Sequence, residues 1–171
     1  MRTVEKTMQA TAFTNDGKLT REKTGAAEWL LVPCVRLALA AGFLSSVADR
    51  FGLWGPPGSP KAAWGNWSNF VKYTAVLNFF LPQRIAPMLA VVVTIAESSL
   101  GVLLILRLWK REVAALSAGL LCLFALAMSV ALGVKAPLDY SVFAASGAAT
   151  MLFLQAQKKE GRQTGMSVSQ K

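Results

Sequence analysis

Apolar residues fill four long blocks of the chain, at 29–48, 85–106, 113–133 and 140–157, and polar residues collect between them. Each block is close to the roughly 20 residues that an α-helix needs to cross about 30 Å of hydrocarbon. Glycine, alanine and serine recur inside them, including Gly101, Gly119 and Gly147, and such small side chains let helices approach closely in lipid. The connection at 49–84 differs. It opens with the rigid, turn-rich Gly55-Pro56-Pro57-Gly58-Ser59-Pro60 and continues as WGNWSNFVKYTAVLNFFLP, where Trp67, Phe70, Val71, Thr74, Leu77 and Leu81 recur at helical spacing. That pattern predicts a short amphipathic helix in the interface. It serves either as a lid presenting Trp64, Trp67, Phe70 and Tyr73, or as an ordinary cover on the helix ends. The expected fold is all-α: an integral membrane four-helix bundle over 29–157, with this short outer-face helix between spans 1 and 2. A flexible tail at 1–28 and a second tail at 158–171 flank it.

Composition supports a lipid setting. The 171 residues are 54% hydrophobic, with a mean hydropathy of +0.44, above the usual range for a soluble domain. The net charge of +9 raises nucleic acid as a partner. The basic residues, however, sit between apolar blocks and form no single stripe, so lipid headgroups are the expected partner and nucleic acid is not. Five Lys and Arg in the amino tail, Arg107, Lys110 and Arg111 in the second turn, and four in the carboxyl tail stand against Arg50, Lys61, Lys72, Arg84 and Lys135 on the other side. The imbalance predicts an inner (plasma) membrane protein with both termini cytoplasmic.

The chemical inventory is narrow. There is no histidine, which removes the commonest general base and most haem and zinc sites. Cys34 and Cys122 lie in different blocks without CxxC spacing and read as small buried hydrophobes first and as a redox pair second. No metal site is expected, and no haem, iron–sulfur or flavin motif is present.

Two ionisable residues fall inside the blocks: Arg36, and Glu97 within VVVTIAESSLGVLLIL. Each costs about 2.5 to 3.5 kcal/mol at a helix centre, so both are expected to face the bundle interior or water. At 1.5 Å per residue, Arg36 lies roughly 10 Å and Glu97 roughly 18 Å from the inner boundary. Two arrangements satisfy these costs. In one, Arg36 and Glu97 meet directly or through water. In the other, Arg36 snorkels inward while Glu97 is neutral or bonded to hydroxyls such as Thr150. Side chains lean toward their own helix amino terminus, which sends Arg36 inward and Glu97 outward. Asp49, Arg50, Lys135 and Asp139 are candidate outer-face polar positions, with Asp139 suited to cap the fourth helix and Pro137 to stop the third.

RLALAAGFLSSVADRFGLWG at 36–55 and AESSLGVLLILRLWKREVAALSAG at 96–119 together resemble the DoxX family of small four-helix membrane proteins. The positions that carry the resemblance are Arg36, Gly42, Glu97, Gly101, Arg107, Lys110 and Arg111, and it extends over roughly 29–157. Where that family commonly ends the first helix with a glycine and a lysine, this chain has Ser46-Val47-Ala48-Asp49-Arg50, leaving Arg50 to supply the charge. The resemblance implies a redox-linked membrane subunit, associated with a quinone as cofactor or with a partner oxidoreductase, as members are linked to thiosulfate:quinone oxidoreductase, redox stress and methylamine dehydrogenase maturation. A non-catalytic scaffold or assembly factor is the alternative reading, and a small-molecule permease the third.

Overall fold

The computed structural model describes the backbone of residues 30–168 and the side chains of residues 30–161. The tail expected at 1–28 and Trp29 lie outside the described residues. Contacts divide the chain into Met1–Cys34 and Val35–Lys171. Of the first unit only Leu30–Cys34 is described, and it is helical. The packing and the sites described below are those of the second unit.

Helices are the only regular secondary structure among the described residues. Its elements are α1 (Leu30–Arg50), α2 (Trp67–Leu77), a 3₁₀ turn (Gln83–Ile85), α3 (Ala86–Leu106), α4 (Lys110–Leu132), the single turn α5 (Lys135–Asp139) and α6 (Val142–Val168). Among the described residues three helices are long and apolar enough to cross a membrane: α1, α3 with its 3₁₀ lead-in, and α4. The chain is a multi-pass membrane protein. Each of these helices turns a narrow stripe inward and leaves most of its apolar surface outside, as expected where lipid is the solvent. In α3 the buried positions are Ala86, Ala90, Thr94, Glu97, Leu100, Gly101 and Leu104, a 3.6-residue repeat.

The fourth apolar block behaves differently. α6 is not among the candidate spans, because its apolar part ends at Leu154 and Gln155, Gln157, Lys158 and Lys159 follow. Nor does the helix stop at 157; it continues to Val168. It packs chiefly along α4, with Ser146 Oγ donating to the Ala118 carbonyl at 3.1 Å. From that contact α4 runs on to Leu132, roughly 21 Å, whereas α6 reaches back only to Val142, roughly 6 Å. α6 therefore starts well short of the far end of α4. The α5 turn occupies that shortfall. Asp139 lies in α5 and bonds to Lys135 Nζ at 2.5 Å, so it does not cap α6, which follows Ser141. Nor does Pro137 stop the third span; α4 has already ended at Gly133 (φ 87°), and Pro137 is buried within α5.

α2 lies across the end of the bundle where α1 finishes, packed on α3 and α4. Asn66 caps it, its side chain accepting from the Asn69 amide at 2.8 Å, which satisfies one of the four free amides of the first turn. The loop before α2 is folded tightly on itself. A Cβ on Gly65 (φ 67°) would stand 2.5 Å from the Pro57 nitrogen, so only glycine fits there. Of the three glycines expected at close helix approaches, Gly101 alone has a neighbour, Leu44 of α1; Gly119 and Gly147 face open space. Cys34 and Cys122 are free and exposed, not buried.

Candidate functional site

The charged residues of the spans separate into two places, and the reason is the direction of their helices. α1 and α3 run antiparallel, so side chains leaning toward their own amino termini diverge for one pairing and converge for the other. Arg36 leans toward the α3–α4 turn, where its Nη2 donates to the Lys110 carbonyl at 3.2 Å. Glu97 leans the opposite way and meets Arg50, which leans down toward it from the last turn of α1. Of the two arrangements the sequence left open, the direct Arg36–Glu97 contact is not formed: Arg36 turns to the α3–α4 turn, and Glu97 pairs with Arg50. Thr150 does not serve Glu97 either; its hydroxyl donates to the Ser146 carbonyl.

Arg50 is the centre of the larger site. It is 1% exposed and Glu97 is 3% exposed. Its Nη2 donates to the Glu97 carboxylate and, at 3.2 Å, to Ser46 Oγ one turn back on α1. Its Nη1 donates to Thr94 Oγ1 at 2.6 Å, and that hydroxyl donates onward to the Ala90 carbonyl at 2.7 Å. Each hydroxyl reaches the site through helical spacing: Ser46 and Arg50 are four apart on α1, Thr94 and Glu97 three apart on α3. Buried charges are tolerated when paired and further hydrogen-bonded, as here.

Above the guanidinium lies an aromatic roof. Phe70 of α2 covers it with its ring centroid 3.8 Å from Arg50 Cζ, and Trp64 stands at 5.6 Å. Trp64 packs edge-on against Phe70 at 5.0 Å and beside Tyr73 at 5.5 Å, while Trp67 lies 5.8 Å from Phe70 and 6.2 Å from Phe51. All four expected lid aromatics thus belong to one cluster, whose inner face is fastened to a cation. Asp49 adds a second fastening: its Oδ2 accepts from the Ala63 and Trp64 amides at 3.0 and 2.8 Å. Two buried atoms here have no hydrogen-bond partner, Asp49 Oδ1 and Arg50 Nε. Lys135 and Asp139 stand apart, exposed and paired with each other.

The structure brings Arg50, Glu97, Asp49 and the aromatic roof together and leaves Arg36 at the other end of the bundle. Thr94 and Ser46 are the members that sequence reading missed, and their helical offsets from Glu97 and Arg50 were the available signal. A separate groove of about 330 Å³ runs between Val35, Ala38 and Leu39 of α1 and the stretch from Tyr140 to Ala148. It is apolar and does not touch the ion pair.

These features define a class: a multi-pass helical membrane protein whose first two spans are joined by a buried ion pair beneath an aromatic cover. The family model described as methylamine utilisation protein MauE matches residues 29–139, and the chain belongs to that family. The match covers α1 through α5, including the whole ion-pair site. It overturns the DoxX resemblance, which rested on apolar helices that match one another easily and on an Arg36–Glu97 register that the structure does not use. No curated protein and no solved structure matches the chain.

Proposed function

We propose that this chain is a redox-associated membrane component of methylamine utilisation that holds a partner oxidoreductase at its α2 end. The family's printed role supports the redox association through simple chemistry. Releasing the carbon of methylamine as formaldehyde, CH₃NH₂ + H₂O → CH₂O + NH₃ + 2H⁺ + 2e⁻, yields two electrons that an acceptor must take. The observation that carries the docking role is the state of the ion pair. Arg50 and Glu97 are spent on each other and roofed by Phe70, which makes the polar centre a fastening for the α2 plate. The plate in turn presents Phe51, Leu53, Phe79 and Phe80, all more than 60% exposed. In this reading the α2 end faces outward, α6 completes a fourth crossing, and both termini lie in the cytoplasm, as the Lys and Arg distribution supports.

In cells growing on methylamine, deleting the chain should lower both growth and the amount of methylamine-oxidising enzyme. A chain carrying Glu97→Leu with Arg50→Met should restore both, because it leaves no unpaired buried charge and keeps an apolar side chain beneath Phe70. Unchanged growth and enzyme level after deletion would remove the reading.

A second reading, quinone handling at the same place, is favoured by the unpartnered Arg50 Nε, which can donate to a carbonyl oxygen. It requires that a quinone analogue raise the thermal stability of the purified protein in a concentration-dependent way.

A further inference from the structure

The Arg36 end of the bundle holds a cation without an anion. Arg36 is 5% exposed, and among the described residues no carboxylate pairs with it. Its one hydrogen bond is to a backbone carbonyl, through Nη2, and its Nη1 is buried with no partner. A buried guanidinium in this state is costly, because a carbonyl dipole does not replace a counter-charge.

The surroundings add positive charge. Arg107, the C-cap of α3, lies three residues before Lys110, which supplies both the carbonyl that Arg36 uses and an exposed ammonium. Arg111 is engaged with Glu160 and Phe153. Glu112, in the same first turn of α4, is exposed and makes no bond to Arg36. The turn itself is held in an unusual form: Arg107 (φ 59°) and Trp109 (φ 38°) both adopt left-handed backbone although neither is glycine. Such strain is maintained only where the surrounding structure enforces it. Leu108 and Trp109 are exposed beside it, at the level where Trp residues sit between hydrocarbon and headgroups.

We infer that Arg36, Arg107 and Lys110 form a site for a phosphate oxyanion at the α3–α4 turn, and that its occupant is the headgroup of an anionic phospholipid. The guanidinium fork is shaped for phosphate, and the site lies where lipid phosphates are concentrated. Basic pockets between membrane helices bind anionic headgroups on the same principle. The inference is independent of the function proposed above, since it uses the opposite end of the bundle.

The test uses the full chain purified in neutral detergent. Thermal stability is followed while phosphatidylglycerol, phosphatidylcholine or inorganic phosphate is added, and native mass spectrometry counts retained lipid. Phosphatidylglycerol should stabilise saturably, with an apparent affinity at least tenfold tighter than phosphatidylcholine. Arg36→Gln should abolish the difference. Arg107→Gly, which suits the left-handed position and removes an exposed charge, should weaken it about fivefold, the worth of one basic residue at an anionic surface. If Arg36→Gln fails to fold, the Arg107→Gly result decides. Equal stabilisation by both lipids, or an unchanged response in Arg107→Gly, would overturn the site. Stabilisation by inorganic phosphate and not by the anionic lipid would overturn the lipid as its occupant.

Discussion

The Phe70 ring lies over the Arg50 guanidinium, 3.8 Å from centroid to Cζ. One residue of a connecting segment thereby closes a polar site built by two membrane spans. The contact ties the position of α2 to the charge between α1 and α3.

Removing that ring should loosen α2 before it loosens the spans. Phe70→Ala deletes a buried aromatic and a desolvated cation–π contact, for a cost of about 3–5 kcal/mol. Phe70→Leu keeps the apolar contact and should recover roughly half of that. Hydrogen exchange should show the loss of protection concentrated in Trp67–Leu77. Equal protection in wild type and Phe70→Ala would mean that the roof is not what holds the helix.

The ion pair makes different predictions for single and double changes. Glu97→Leu leaves Arg50 buried without its partner and should cost about 3–5 kcal/mol. Glu97→Gln keeps an acceptor and should cost less, about 1.5–3 kcal/mol, the value of a hydrogen bond to a charged group. Combining Glu97→Leu with Arg50→Met removes both charges at similar volume and should return stability to near wild type. A thermal-unfolding series in detergent checks the order. A double variant worse than Glu97→Leu alone would show that the pair contributes more than it costs.

Much of this architecture was legible in the apolar pattern, since the first three blocks and the amphipathic segment correspond to α1, α3, α4 and α2 within a few residues at each end. The fourth block was less so. Its apolar residues end at Leu154, and its depth relative to α4 depends on the Ser146–Ala118 contact, which no periodicity encodes. The ion pair shows a different limit. Arg50 closes the first span, and its position alone suggested an outer-face charge. The lean of side chains toward the helix amino terminus had already separated Arg36 from Glu97. Applied to Arg50 as well, the same rule leads to its burial against Glu97. A cover containing Phe70 was expected, but its seat on Arg50 was beyond reach, because it depends on the tight fold of the Gly52–Gly65 loop.

Gly101 sits one helical turn from Glu97 on the face that meets α1. A Cβ there would come 2.9 Å from Leu44 Cγ and 3.5 Å from the Ala40 carbonyl oxygen. Gly101→Ala gains about 1 kcal/mol in helix propensity and needs only a shift of the Leu44 side chain, so the two effects should nearly cancel. Gly101→Val has no such escape past the Ala40 backbone and should destabilise by about 1–3 kcal/mol. Matching unfolding temperatures for the two variants would show that α1 and α3 are not closely packed at this level.

Burial pushes the Tyr73 phenol above its ordinary value of 10.0, and Tyr140 adds to the shift. Below pH 10 the phenol is neutral in folded and unfolded chains alike, and its contribution is fully present. As pH rises further, the unfolded chain releases the proton first, so stability falls until the folded value is passed. Tyr73→Phe should flatten this alkaline limb while leaving neutral-pH stability nearly unchanged. The ultraviolet absorbance of tyrosinate should show one late-titrating tyrosine that is absent from the variant.

The disposition of the helices across the bilayer gives the most demanding test. With Cys34 and Cys122 replaced by alanine, single cysteines at Ser59, Leu108 and Lys159 can be labelled from either side of sealed vesicles. α1, α3 and α4 alternate in direction, so Ser59 and Leu108 must label from opposite sides. Lys159 should label with Leu108, because Arg111 reaches both Phe153 and Glu160 and thereby fixes the far part of α6 beside the start of α4. Labelling of Ser59 and Leu108 from one side would contradict the burial of Glu97 in hydrocarbon, since the helix that carries it would then not cross. Labelling of Lys159 with Ser59 would leave the three spans intact and show that α6 does not return along α4.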